Sequence, residues 1–282
     1  MLPIHKIIWN EWRATARPQR VPEPCEAMEN AEQIRSYIQA YDWGGPFSAL
    51  QLHHLRQLSR LIRPGDTVLD LACGPGPLLL ELAPLYPACR FIGADLSRAM
   101  LDALAATAAE RGIRNLELLH EDIRQLPSLQ GRRVDLVITT LALHHLPSEA
   151  DLQATLMKVD ELLQQGAALY VFDFGLLRSN ATRALLAAEA AKTAPPITVT
   201  DYKQSLQAAF DIGFVVDSAR KTLKAPFRAS SSSFVDFYYF LQTAPRTTPA
   251  PAVGHKISSL WGKLSWNNKV EYLMLQMLRR SR

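Results

Sequence analysis

Cysteine is scarce, with only Cys25, Cys73 and Cys89 in 282 residues. No C-x-x-C pair occurs, so neither a disulfide framework nor a zinc-ligand spacing organises the chain, and no metal is expected. Unpaired thiols point to a reducing, cytoplasmic setting. Long apolar runs are missing too, so no membrane span is expected. The opening stretch "MLPIHKIIWNEW" is interrupted by His5, Lys6 and Glu11, a poor match to a signal peptide. There is no G-x-x-x-x-G-K-[ST], which excludes a P-loop. A strong charge of one sign is lacking over most of the length. The formal net charge is +4, but seven Lys/Arg and a single acid, Glu271, fall after residue 244. The remaining body is near neutral, so no nucleic-acid partner is expected there.

The composition that remains, 48% hydrophobic and 21% charged, is that of a globular chain long enough for a full core. Residues 1–24 read as an irregular arm ending in "RPQRVPEP". Helical spacing of Ala27, Ala31, Ile34, Ile38 and Tyr41 predicts a helix over 26–43, stopped by "GGP", and a second helix spans about 47–62. Strands are predicted at 67–72, 90–95, 116–121, 134–140 and 167–174. Helices fit between them at about 77–85, 97–111 and 148–165. Apolar strands alternating with helices predict an α/β fold with a doubly wound parallel sheet. Beyond it, helices are predicted at 179–192, capped by Ser179 or Asn180, and at 201–211, with "APPITVTD" as an interruption. "GFVVDSARKTL" and "SFVDFYYFLQT" read as two last strands flanking an "SSSS" loop. "PRTTPAPAVG" reads as a linker, followed by apolar stripes at Ile257, Leu260, Trp261, Leu264 and at Val270, Leu273, Met274, Met277, Leu278. The expected organisation is an N-terminal arm and helical cap (1–62), a core (63–244) with a helical insert (176–211), and a C-terminal extension (245–282).

The stretch "VLDLACGPGPLL" (68–79) carries the functional signal. Small residues after a first strand let a ligand approach the backbone, and the next helix offers free N–H groups. A dinucleotide fingerprint G-x-G-x-x-G needs a third glycine, and Leu79 stands there after Gly74 and Gly76, so a nicotinamide dehydrogenase is disfavoured. Asp95 ends the second strand 19 residues after Gly76, where an acid takes ribose hydroxyls. Asp122 and Ile123 end the third, an acid and an aliphatic side chain suited to an adenine. These features together describe an adenosine ligand without phosphates.

"VLDLACGPG", "GADLSRAML", "EDIRQLP" and "VDLVITTLALHHL", in this order, resemble the class I S-adenosylmethionine (SAM)-dependent methyltransferases, in style closest to the small-molecule, quinone-biosynthesis-like branch. The resemblance covers about 60–175 well and 176–242 loosely. Ala72 stands where the family usually has glycine, and "LQQGA" replaces its usual K-P-G-G turn. It implies a Rossmann-like sheet, mostly parallel with an antiparallel edge strand, plus an N-terminal helical cap and a C-terminal helical extension. It further implies that Asp70, Ala72, Cys73, Gly74 and Gly76 lie along the methionine part of SAM. Asp95 would bind the ribose, and Leu96 and Met100 would lie near ribose or adenine. Asp122 and Ile123 would hold the adenine, and Thr140 and Leu141 would pass beside the methyl-bearing sulfur.

Methyl transfer from a sulfonium asks the protein mainly to align a nucleophile, exclude water and sometimes take a proton. Candidates for the last task are His144, His145 and Asp173, each weighed against packing or capping roles. Tyr37, Tyr41 and Trp43 are candidate lid residues, and Asp201 and Tyr202 candidate substrate contacts, against ordinary packing. His53 and His54 read as structural, and Cys73 as a small buried residue rather than a nucleophile. The expected function is methylation of an O, N, S or C atom of a small-molecule acceptor. Alternatives are a protein or RNA methyltransferase docking through its basic tail, and a non-catalytic SAM-binding scaffold. The absence of an Asn/Asp-Pro-Pro-Tyr motif in "TTLALHHL" counts against nucleobase or amide methylation. Residues 255–282, with Trp261, Trp266, Lys263, Lys269, Arg279 and Arg280, either pack on the body or offer a surface to a membrane or protein partner.

Overall fold

The computed structural model describes residues 3–277 and 279–282, the side chain of Met277 excepted; Leu278, at the end of the last apolar stripe, lies outside the described residues. The chain begins with α1 (Ile4–Arg13), α2 (Ala31–Ala40) and α3 (Ser48–Leu58). It then alternates through β1 (Thr67–Leu71), α4 (Leu79–Leu85), β2 (Arg90–Asp95), α5 (Arg98–Glu110), β3 (Leu116–His120), β4 (Val134–Thr140), α6 (Glu149–Leu162) and β5 (Leu163–Phe174). After β5 come α7 (Asn180–Ala190), α8 (Pro196–Ala208), α9 (Ile212–Thr222), β6 (Arg228–Ser232), β7 (Tyr238–Gln242), α10 (Pro251–Trp261), α11 (Trp266–Met277) and β8 (Arg279–Ser281).

The sheet runs in the order β3-β2-β1-β4-β5-β7-β6-β8. β1 to β5 are parallel, β7 is antiparallel to β5, and β8 closes the edge antiparallel to β6. Period-two alternation feeds a core on each face. Val68, Leu136, Ile138, Tyr170 and Phe172 pack on one side with α3 and α4. Leu69, Leu71, Val137, Leu169 and Val171 pack on the other with α6 and α9. The strand order reverses between β1 and β4, so the crevice beyond their carboxyl ends is the place for a ligand.

Several expectations are corrected. The N-terminal arm is not irregular throughout. α1 buries Ile7 and Glu11 one turn apart, and the Glu11 carboxylate accepts from the backbone N–H groups of Arg178 (2.8 Å) and Ser179 (3.1 Å) at the start of α7. "GFVVDSARKTL" is α9 rather than a strand. Ile212, Val215, Val216 and Ala219 follow the helical period, and Asp211 caps the N–H of Phe214 at 3.0 Å. The "SSSS" segment is part of β6 instead of a loop, because β7 supplies a ladder that overrides weak propensity. Proline starts α8 and α10 rather than interrupting them, since a missing N–H costs nothing in the first helical turn. Ser179 is the cap of α7, accepting from Thr182 N–H.

The C-terminal helices pack on the body: Val253, Leu260, Leu264 and Tyr272 share the core with Leu50, Leu52 and Leu55. Trp261 meets Tyr272 with ring centroids 5.2 Å apart, whereas Trp266 is 76% exposed. Among the described residues no helix is long and apolar enough to cross a membrane.

Candidate functional site

The loop after β1 is built from left-handed backbone. Ala72, Gly74 and Gly76 have φ of +51°, +54° and +68°. At Gly76 any Cβ would overlap the Leu104 side chain, so only glycine brings α5 this close to the loop. Gly74 N–H donates to Asp95 Oδ2 at 2.7 Å and Ser97 N–H to Asp95 Oδ1 at 2.8 Å. Asp95 therefore ties the loop to the start of α5. Burial raises its pKa despite these donors. Burial, with Asp95 nearby, pushes the Asp70 carboxyl well up, and burial pushes the Cys73 thiol up as well. The latter keeps Cys73 from being a thiolate nucleophile.

A cavity of about 100 Å³ opens beside this loop, lined by Ala72, Gly74, Asp95, Leu96, Ser97, Met100, Asp122, Ile123, Leu141 and His145. Tyr37 and the segment Glu26–Met28 cover it, and Ser97 Oγ donates to Met28 O at 2.6 Å. Asp122 is gripped by Arg124, whose Nε lies 2.9 Å from both carboxylate oxygens and which also pairs with Glu26 and Asp151. Burial opposes ionisation of Asp122, but the Arg124 pairing prevails and its pKa is lowered. The lining combines an anion at Asp95, apolar faces at Leu96, Met100 and Ile123, and a side-chain-free approach at Gly74. It offers no cluster of cations for a pyrophosphate. Asp70, Cys73, Gly76 and Thr140 are not among the residues that line this cavity.

A second cavity, about 340 Å³, shares Ala27, Met28, Tyr37, Leu141 and His145 with the first. Its remaining wall includes Phe47, Phe174, His144, Asp201, Tyr202 and Ser205. Leu141 holds φ of +51° at the junction, a strained position for a non-glycine residue. Tyr37 and Tyr41 lie hydroxyl to hydroxyl at 3.3 Å, and Tyr41 packs on Phe47 with centroids 4.9 Å apart. Tyr41 is thus a support behind Tyr37. Trp43 is not part of a lid: its Nε1 faces Glu81 at 3.3 Å on the far side of the loop, because "GGP" turns the chain away after α2. Asp201 accepts from Gln33 Nε2 at 2.8 Å, and burial raises its pKa. His53 and His54 are buried in α3 against Gln276 and Tyr170, away from both cavities.

Both histidines of "LALHHL" line the larger cavity. His144 is buried; its Nδ1 lies 2.7 Å from Asp173 Oδ1, and its backbone N–H donates to Asp173 Oδ2 at 3.0 Å. His144 Nε2 lies 3.7 Å from Glu23 Oε1, and His145 Nδ1 lies 2.8 Å from Glu23 Oε2 without the alignment of a hydrogen bond. Burial alone would lower the His145 pKa, but Glu23, aided by Asp173 and Asp95, raises it. Burial opposes ionisation of Glu23, and the two histidines and Ser205 outweigh it, lowering its pKa.

Glu23 is the residue the sequence reading missed, together with Arg20, which holds it in place. Arg20 donates to the carbonyls of Ala208 (2.6 Å), Pro147 (2.7 Å), His144 (3.0 Å) and Leu146, and its guanidinium stacks 3.8 Å from the Phe210 ring centroid. The alternating Arg, Glu and Pro of "RPQRVPEP" were the available signal: proline stiffens a segment whose charges then have fixed places.

The chain is similar to known methyltransferases in part of its sequence and in fold. Residues 68–166 match the family model described as a methyltransferase domain. Over 152 residues the chain is 30% identical to U6 snRNA (guanine-N(2))-methyltransferase THUMPD2 of Bos taurus, covering 53% of this chain and 27% of that protein. Over 162 residues it is 27% identical to ubiquinone/menaquinone biosynthesis C-methyltransferase UbiE of Ectopseudomonas mendocina (strain ymp), covering 55% and 62%. The chain thus spans less than two thirds of each of these relatives. In fold it is similar to the plantazolicin methyltransferase BpumL in complex with a monoazolic desmethylPZN analog and SAH, with a TM-score of 0.55, 13% identity and coverage of 88% of this chain and 86% of that one. The related BamL complex gives a TM-score of 0.55, 15% identity and coverage of 84% and 92%. Residues 68–166 are thus similar to a methyltransferase domain, on a fold shared with SAM-dependent methyltransferases.

Proposed function

We propose that this protein transfers a methyl group from SAM to a nucleophilic O, N, S or C atom of a small molecule. The observation that carries the proposal is the shared wall. A small cavity with an acid and apolar side chains in its lining and a larger, mostly apolar one meet at Met28, Tyr37, Leu141 and His145. SAM in the smaller cavity supplies an electrophilic methyl on a sulfonium. The residues of the larger cavity then have three tasks. Phe47, Phe174 and Tyr202 take the apolar body of the acceptor and exclude water. Tyr37 and Leu141 orient it for in-line attack. His145, made more basic by Glu23, accepts the proton of an O–H, N–H or S–H acceptor. The acceptor's lone pair forms the bond to the methyl carbon while the carbon–sulfur bond breaks, its electrons remaining on sulfur.

The relatives' names cover both quinones and RNA, and the covered cavity is what favours a small acceptor here. The arm, α2 and α8 all contribute to its wall, a concave and mostly apolar lining better suited to a small acceptor than to a nucleotide within RNA.

The test is calorimetric titration with SAM, S-adenosylhomocysteine and NAD. Micromolar binding of the first two without NAD supports the assignment. Absence of binding by either adenosyl compound rejects it.

A further inference from the structure

We propose that Glu23, His144 and His145 form a site for one divalent transition-metal ion at the junction of the two cavities. One donor atom from each residue lies within 4.8 Å of the other two. Ligands bound at about 2.0–2.2 Å to one ion lie roughly 3.0–3.6 Å from each other. Glu23 Oε2 lies 2.8 Å from His145 Nδ1 and Glu23 Oε1 lies 3.7 Å from His144 Nε2, so each imidazole already stands near ligand spacing from one carboxylate oxygen, and the side chains need only draw together around an ion.

Three further features separate this cluster from an ordinary ion pair. First, Asp173 holds His144 at both its backbone N–H and Nδ1. The Nδ1 proton is thereby committed to Asp173, and the Nε2 lone pair is left facing Glu23. A carboxylate behind a ligating imidazole is the usual supporting arrangement in metal sites. Second, His145 Nδ1 is buried and has no aligned hydrogen-bond partner. Third, the Glu23 and Asp173 side chains are only 10% and 1% exposed, so two carboxylates need compensating positive charge in a confined place. Arg20 spends its donors on backbone carbonyls rather than on either carboxylate.

Two imidazoles and one carboxylate leave open coordination positions, and the larger cavity lies in front of them. An acceptor heteroatom could be polarised there as by a Lewis acid. A proton and the ion compete for the His145 Nδ1 lone pair. With the ion bound, the acceptor's proton leaves to water instead of to His145. Ion binding by these three residues does not depend on methyl transfer. The residues come from an arm and a loop more than 120 positions apart in sequence, which is why no metal-ligand spacing was visible.

The experiment uses the full chain, stripped with a chelator and titrated with Zn²⁺ and Co²⁺ by calorimetry, with metal content measured after dialysis. One equivalent is expected to bind. Glu23→Gln and His145→Ala should each weaken it at least 100-fold, Asp173→Asn by about 10–100-fold, and His255→Ala, at an exposed and remote histidine, should have no effect. Circular dichroism and S-adenosylhomocysteine binding, measured without metal, show that each variant is folded and report separately on the methyltransferase assignment. No binding by the folded wild type, or binding undiminished in folded Glu23→Gln and His145→Ala, overturns the site.

Discussion

Arg20 donates from Nη2 to the carbonyl oxygen of His144 at 3.0 Å, joining the N-terminal arm to the loop that carries both cavity histidines. The same side chain reaches three other carbonyls on two elements. Hydrogen bonds from a charged donor are worth about 1.5–3 kcal/mol and do not add simply. Arg20→Ala should lower stability by about 2–3 kcal/mol and release the arm. Limited proteolysis should then cut within residues 14–30 much faster than in wild type. An equally resistant arm would show that Arg20 is not its anchor.

Asp95 has both an organising and a binding task, since it accepts from Gly74 and Ser97 and lines the smaller cavity. Asp95→Ala should weaken SAM binding about tenfold or more, from the loss of a charged hydrogen-bond acceptor. Calorimetry on the folded variant measures this, and unchanged affinity would remove Asp95 from the ribose contact.

His145 touches both cavities, with the acceptor side as its proposed place of action. His145→Ala should reduce kcat at least 100-fold while SAM affinity stays within about twofold, because proton removal typically contributes 10²–10⁴. Once an acceptor is in hand, single-turnover kinetics decide the matter. Full activity would make His145 a packing residue.

The loop backbone makes a paired prediction. Ala72 sits at φ +51° where glycine relieves strain, so Ala72→Gly should stabilise by about 0.5–1 kcal/mol. Gly76→Ala should destabilise by about 2 kcal/mol or more, combining φ of +68° with overlap on Leu104. Chemical denaturation of the two variants should move in opposite directions.

Glu271 in α11 supplies a pH dependence. Burial raises its pKa to about 7. An unfolded glutamic acid titrates near 4.3, so the folded state holds the proton more tightly. Its contribution to stability is complete below about pH 4 and is lost as pH rises through 7, at a cost of about 3–4 kcal/mol. Glu271→Gln should match wild type near pH 4 and exceed it by that amount near pH 8. Urea denaturation at the two pH values tests this.

The strands, their helices and the loop at 72–76 were legible because each rests on local pattern: apolar runs of strand length, intervening helical stripes and small residues at a turn. Asp95, Asp122 and Ile123 were found by counting from those strands and Leu141 came with the family resemblance; all four line one cavity. The pattern failed where two periods compete over a short span. In α9 Val215 and Val216 suit either a strand or a helix, and packing of Ile212, Val215, Val216 and Ala219 on the sheet decided it. It failed again at β6, whose serines have no strand preference until β7 offers its backbone.

The sequence by itself determined a β–α alternation with a small-residue loop after the first strand and acids at the ends of the next two, because strand, turn and helix chemistry act between near neighbours. Only the tertiary structure decided that Trp43 stands outside the site, that Tyr37 and Leu141 join two cavities, and that Glu23 meets His144 and His145. Those relationships depend on the path of an arm held by Arg20 to carbonyls more than 120 residues away, and no local pattern encodes contacts of that span.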